Sequence, residues 1–256
     1  MQTAPHTSPS STVADAPDLP LGPVVSAWKP PPSPAHTPLA GLRARLEPLD
    51  MADHAVSLHA ANAEDSAGRM WIYLPYGPFA DAAAYADWVR ESQASRDPLF
   101  FAIVAAATGQ ASGVAAYLRI DPNNGCIEIG HLAFAPRLQR TPVATEALFL
   151  MLDHAFALGY RRVEWKCNAL NAPSRRAAQR LGFSFEGLFR QAAVVKGRNR
   201  DTAWYAMLDR EWPALRRAYV QWLDAANFDA QGRQRQALGT LTQPALASSH
   251  PAAAQV

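Results

Sequence analysis

The fold is decided between Cys126 and Phe185. Cys126-Ile127-Glu128-Ile129-Gly130-His131-Leu132-Ala133-Phe134 reads as a strand. It leads into Arg137-Leu138-Gln139-Arg140-Thr141-Pro142-Val143-Ala144-Thr145-Glu146-Ala147. A second strand at 161–166 leads into Asn168-Ala169-Leu170-Asn171-Ala172-Pro173-Ser174-Arg175-Arg176. A long helix is expected over 141–158, because Ala144, Ala147, Leu148, Met151, Leu152, Ala155 and Phe156 recur at spacings of three and four and form one apolar face. Gly159 stops it, and a shorter helix over 173–181 is stopped by Gly182. Both turns put polar donors at the mouth of a helix directly after a strand. Exposed N–H groups and the positive end of the helix dipole suit an anionic, phosphate-bearing ligand there.

Working outward, 41–49 reads as a strand by alternation, with Asp50 as N-cap of the helix that follows. Pro75, Gly77 and Pro78 break both periods, so 73–79 is a loop, and a helix follows over 81–91. Strands are expected at 100–105, 114–120, 126–134, 161–166, 183–190 and 201–208, with a last turn at Lys196-Gly197-Arg198-Asn199. A C-terminal helix is expected over 211–226, with Pro213 tolerated in its first turn. Residues 1–40 hold ten of the 21 prolines. They are read as a disordered Pro-rich arm, and 229–256 as a disordered tail. The folded part is then a domain over 41–212 with the helix of 213–228 packed on it. The expected class is mixed α/β in a single domain, with about seven strands, mostly antiparallel, and one central crossover.

Of the 256 residues, 49% are apolar and 18% charged, as in a soluble globular protein. No apolar run reaches the length of a membrane span, and the N-terminus lacks the pattern of a secretory signal. Two cysteines, Cys126 and Cys167, make no disulfide framework, so a cytoplasmic setting is expected. The histidines show no metal-ligand spacing, so no catalytic metal is expected. Net charge is only +2, yet between Arg137 and Arg200 there are twelve Lys/Arg against four Asp/Glu. A basic region at two helix mouths favours a polyanionic ligand. No nucleic-acid-binding module is visible, so nucleic acid is not the expected partner.

The order of these elements, with Leu181-Gly182-Phe183 closing the second turn, resembles the acyl-CoA-binding core of the GNAT N-acetyltransferases, nearest their RimJ/RimL-like branch. The resemblance covers about 42–210. It implies a twisted sheet splayed between the fourth and fifth strands (126–134 and 161–166), with acetyl-CoA as cosubstrate. The family's phosphate turn follows Gln/Arg-x-x-Gly-x-Gly/Ala, which falls here on Gln139, Arg140, Thr141, Pro142, Val143 and Ala144. Pro142 replaces the usual glycine and removes one N–H. Arg140 and Thr141 are expected to supply side-chain donors instead. The resemblance further assigns Thr145, Asn168, Asn171 and Ser174 to the cofactor, with Asn171 on the pantetheine or phosphate arm and Ser174 near the sulfur. Backbone groups of Leu132, Ala133 and Phe134 are assigned to the pantetheine and thioester, a main-chain N–H among them acting as oxyanion donor.

The reaction implied is direct acetyl transfer to an amine, which must shed a proton before it can attack. Glu128 is the first candidate base, acting through water. His131 is the second and Glu186 the third. Ser174 stands where many relatives carry a tyrosine acid. Trp71, Tyr73 and Tyr76, in an aromatic-rich stretch between breakers, are expected to line the acceptor site. The acceptor is read as a protein N-terminus or a small-molecule amine, with no membrane partner, and the family admits a homodimer. The alternative is a CoA-binding or protein-interaction module without catalysis.

Overall fold

The computed structural model describes residues 19–249. In chain order the elements are β1 (Leu39–Ala40), β2 (Ala44–Pro48), α1 (Met51–Asn62), α2 (Ala82–Gln93), β3 (Leu99–Ala105), β4 (Ala111–Asp121), β5 (Cys126–Phe134), α3 (Pro142–Ala157), β6 (Arg162–Asn168), α4 (Ala172–Arg180), β7 (Ser184–Val195), β8 (Arg198–Leu208), α5 (Trp212–Leu223) and α6 (Leu238–Thr242). Among the described residues they build one eight-stranded sheet in the order β1-β2-β3-β4-β5-β6-β8-β7. β5 and β6, the crossover pair, run parallel, and every other neighbouring pair is antiparallel. The expected mixed sheet is present, with a two-residue β1 as the extra strand.

Alternation along the strands divides the core in two. Phe101, Ile103, Tyr117, Ile127, Ile129, Val163 and Trp165 pack with α3, α5 and α6 on one face. Phe100, Ala102, Val104, Val114, Ala116 and Ala133 pack with Leu58, Tyr85 and Val89 of α1 and α2 on the other. The caps follow the sequence. Asp50 accepts from the amides of Ala52 and Asp53, and Asp81 from Ala84. Gly182 ends α4 with φ +97.

Three segments depart from the sequence expectation. Residues 19–38 carry no helix or strand but lie as a strap: Trp28 donates to Asn123 O, His36 Nε2 lies 2.7 Å from Phe100 O, and Pro31 and Pro34 are buried. The boundary at 40/41 therefore falls within packed chain; the part of the arm at 1–18 lies outside the described residues. At the other end, 229–249 is not a bare tail. Leu238 and Thr242 are fully buried, Trp222 Nε1 donates to Gln234, and Ala247 N donates to Ser184 Oγ. Sparse apolar residues, Phe228, Leu238 and Leu241, suffice to dock it. Finally, β7 and β8 reach beyond the expected 190 and 201, closing on Lys196-Gly197, both at positive φ, the requirement of a tight two-residue hairpin turn. Their polar residues read as loop because most of this extension of β7 is exposed.

Glu146 of α3 is 4% exposed and receives the amides of Leu42 at 3.3 Å, Arg43 at 2.5 Å and Ala44 at 2.7 Å, fixing the β1–β2 turn to the central helix. Removing a carboxylate that satisfies buried donors leaves them without a partner. Glu146→Ala is expected to cost about 3 kcal/mol, read as a midpoint shift in urea unfolding with an unchanged slope.

Candidate functional site

β5 and β6 pair at Cys126–Arg162, Ile127–Val163 and Glu128–Glu164, and then part. The opening lies between the two helix mouths. On the β5 side, Val114 pairs with Ala133 and Ala116 with Gly130, so β5 carries one residue more than β4 there. His131 sits in this bulge at φ +51. Ala135 N bonds Ser112 O of β4. Strand alternation then directs Ala133 toward β4, and Phe134 and Leu132 into the opening. Gln139 Nε2 donates to Phe134 O at 2.8 Å, consistent with that direction. Of the three residues expected to present backbone groups, Leu132 and Phe134 lie on either side of Ala133, the one paired with Val114 in the ladder. Ala133 is spent on the sheet.

The first mouth is set by Thr141. Its Oγ1 accepts from Ala144 N at 3.1 Å and donates to Leu138 O at 2.7 Å, with Pro142 in the first turn of α3. Leu138 and Gln139 amides both bond Ala135 O, and Thr145 N bonds Thr141 O. Proline has no N–H to offer, and among the described residues the amides of Arg140, Thr141 and Val143 meet no acceptor, with Arg140 exposed and at φ +61. The amides of Ala144 and Thr145 are both taken by Thr141. Thr145 is 3% exposed, and its hydroxyl meets Thr141 O and Arg180 Nη2 inside the protein. The loss of the glycine is therefore compatible with a phosphate cradle, because the cap occupies only one amide.

The second mouth is set by Asn171, whose Oδ1 accepts from Ser174 N at 3.2 Å. Its amide NH2 group remains as donor. Asn168 Oδ1 accepts from Leu170 N in an exposed turn. Trp165 Nε1 donates to Ser174 Oγ at 3.0 Å. An indole N–H can only donate, so Ser174 Oγ is the acceptor there, and its own hydrogen has the Cys167 thiol as a neighbouring partner. Cys167 lies beside Ser174 in the core, its thiol raised by burial.

The other face of the opening is charged. Arg119 holds Glu128 with Nε at 2.7 Å and Nη2 at 2.8 Å, and Lys166 Nζ lies 3.0 Å from Glu128 and 2.6 Å from Glu164. Arg162 reaches Glu164 at 2.7 Å and Glu186 at 2.5 Å. Both Glu128 oxygens are thus committed to cations, and Glu186 belongs to the far end of the same ladder. Sequence reasoning treated Glu128 alone because its partners lie nine and 38 residues away. His131 stacks on Tyr76 with rings 5.6 Å apart and Nδ1 3.3 Å from the Tyr76 hydroxyl. Burial first, then repulsion by Arg119 and Arg200, pushes its pKa down to about 4.

The aromatic stretch divides. Trp71 is 5% exposed and packs on Phe79 within the second core, so it is core and not wall. Tyr76 reaches His131. Tyr73 Oη donates to Leu170 O at 3.2 Å, bridging to the second mouth. Lys196 at the tip of the β7–β8 hairpin, which sequence reading passed over, donates to the carbonyls of Trp71, Tyr76 and Gly77 at 2.8, 3.0 and 2.6 Å.

Comparison with known proteins agrees with this geometry. A family model described as an acetyltransferase (GNAT) domain matches residues 43–184. An uncharacterized N-acetyltransferase, p20, of Bacillus licheniformis is 30% identical over 148 residues, 55% of this chain and 80% of that protein. The crystal structure of a GCN5-related N-acetyltransferase from Brucella melitensis superposes with a TM-score of 0.83 at 47% identity, covering 85% of this chain and 99% of the other. A probable GNAT-family acetyltransferase from Chromobacterium violaceum gives 0.71 at 43% identity, covering 77% and 99%. A strand pair that separates between two capped helix mouths, carried on a sequence with these relatives, makes the chain a member of the GNAT acetyltransferases in their RimJ/RimL-like branch, an acetyl-CoA-dependent N-acetyltransferase.

Proposed function

We propose that the chain acetylates a primary amine that enters over His131 and Tyr76, while the pantetheine arm threads the opening between β5 and β6 from the side of α3 and α4. What supports this reading is that the β5–β6 ladder ends at Glu128–Glu164 while β5 runs on to Phe134 between the two mouths, with Phe134 O bonded to Gln139 and not to β6. Acetyl-CoA supplies the activated acyl group. The amides of Arg140, Thr141 and Val143 and the Arg140 guanidinium hold its diphosphate, and the Asn171 NH2 group supports the arm. The Leu132 or Phe134 N–H stabilises charge developing on the carbonyl oxygen. Ser174 delivers its proton to the departing sulfur.

Glu128 is a poor base in this arrangement, since it must first release Arg119 or Lys166. A neutral His131 offers a nitrogen but binds a proton weakly. The same cationic field offers a different route. Arg119 and Arg200, which oppose a proton on His131, also oppose a proton on the incoming amine. The ammonium is thereby disposed to lose its proton to water, and His131 orders that water without being a strong base.

Three measurements test this reading. Arg140→Ala should weaken CoA binding about tenfold by calorimetry; unchanged affinity removes the phosphate-site assignment. Asn171→Asp keeps the helix cap but puts an anion where a donor stood, so it should weaken CoA binding with little change in melting temperature. Equal binding would reduce Asn171 to a cap. Ser174→Ala should lower kcat about 10–100-fold with KM for acetyl-CoA unchanged.

The histidine makes a prediction about pH. Its folded-state pKa lies below its unfolded value of about 6.5, so unfolding takes up a proton as pH falls. The neutral form stabilises the fold above pH 6.5, and this contribution drains away between pH 6.5 and about 4. It amounts to about 3 kcal/mol. In urea unfolding from pH 7 to pH 4, His131→Asn should lose correspondingly less stability than the wild type. Parallel losses in the two proteins would refute the assignment.

A further inference from the structure

The charged face has an imbalance. Arg119, Glu128, Lys166, Glu164, Arg162 and Glu186 form an alternating chain of three cations and three anions, each in contact with the next. That chain is neutral and complete. Arg200 of β8 stands outside it. It lies on the same face, two residues along from Thr202 and four from Trp204, whose ring carries Lys166 Nζ at 3.7 Å. Arg200 Nε is buried and meets no acceptor among the described residues, and no ion pair to its guanidinium is formed there. Trp204 Nε1 is a second buried donor on this face that meets no acceptor among the described residues.

The neighbouring carboxylates are already committed. Glu128 is held by Arg119 and Lys166. Asp201, next in the chain, points to the opposite side and accepts from Gln191 N and Asn199 Nδ2. Taking a guanidinium partly out of water without an anion is unfavourable. Burial lowers the Arg200 pKa for that reason. Arg200 stands two residues beyond the last β6–β8 pair, Asn168–Thr202, at the open end of the β5–β6 fork, and its charge there opposes a proton on His131.

On the acetyltransferase reading above, we infer that the acceptor is an anionic amine, bearing a carboxylate or a phosphate that the Arg200 guanidinium receives while its amino group lies over His131. A planar fork of donors suits both oxyanions. A neutral amine of the same shape would leave Arg200 as it stands now, so the site discriminates by an unmet charge and not by shape alone. Arg200 is on this account a specificity-determining residue.

The test uses the full chain with matched amines that differ only in charge: amino acids against their amides, phosphoethanolamine against ethanolamine, and peptides with Glu against Gln at the second position. The wild type should prefer the anionic member of at least one pair by tenfold or more in kcat/KM. Arg200→Gln should abolish that preference by raising acceptor KM, with KM for acetyl-CoA unchanged, and Arg200→Lys should restore part of it. A second readout does not need turnover. Inorganic phosphate titrated into CoA-saturated protein should bind the wild type at least tenfold more tightly than Arg200→Gln. Equal use of charged and neutral partners, or equal phosphate binding in folded wild type and variant, overturns the inference. Failure of the acetyltransferase reading would show differently, as no thiol release with any amine, and the phosphate titration would still decide the role of Arg200.

Discussion

The site depends on where β5 and β6 stop pairing. Their ladder ends at Glu128–Glu164, and two residues further along β6 the Lys166 ammonium returns to Glu128 at 3.0 Å. This ion pair clasps the apex of the fork. Both side chains are almost fully buried, at 6% and 3% exposure. Such a pair adds little net stability, because desolvation offsets its Coulomb attraction, but losing one partner strands the other. Its value here is positional. It fixes the point at which β5 backbone groups cease to serve the β6 ladder. The bulge at His131 then sets which groups those are.

The parts of this design that rest on local chemistry were legible in the sequence. The three- and four-residue spacing of apolar side chains in α3, the Thr141 cap with Pro142 behind it, and the Asn171 cap of α4 act over a few residues. Their elements lie where the pattern puts them, within one or two residues. So does the mixed sheet with one crossover. What could not be read were roles set by partners distant in sequence. Glu128 looked like a base because an acid in an apolar strand is unusual; its explanation is Arg119 on one neighbouring strand and Lys166 on the other. Trp71 looked like a wall, yet Phe79 and the α1–α2 layer absorb it. Thr145 belonged to the motif but faces Arg180. The terminal segments misled for a related reason. Proline and polar residues dominate their composition, while a few rings and leucines decide their packing.

The aromatic loop beside the opening shows how much of a frame can be made from backbone. The loop carrying Trp71, Tyr73 and Tyr76 is tied at both edges of the opening, by Tyr73 to Leu170 O and by Lys196 to three carbonyls. An ammonium with three donors suits three converging carbonyls better than a planar guanidinium does. Because carbonyls are common to all residues, this frame depends little on the identity of the loop side chains. The frame and the fork can thus stay constant while the groups inside them vary. On the reading proposed above, choice among amines falls to the Tyr76 ring, the neutral His131 and Arg200. On that reading a charge placed there would act on the acceptor twice: it would oppose a proton on the amine, and it would attract an anion elsewhere on the same molecule. One residue can therefore couple recognition of the acceptor to its activation, a coupling that a stronger base in the same place would not provide.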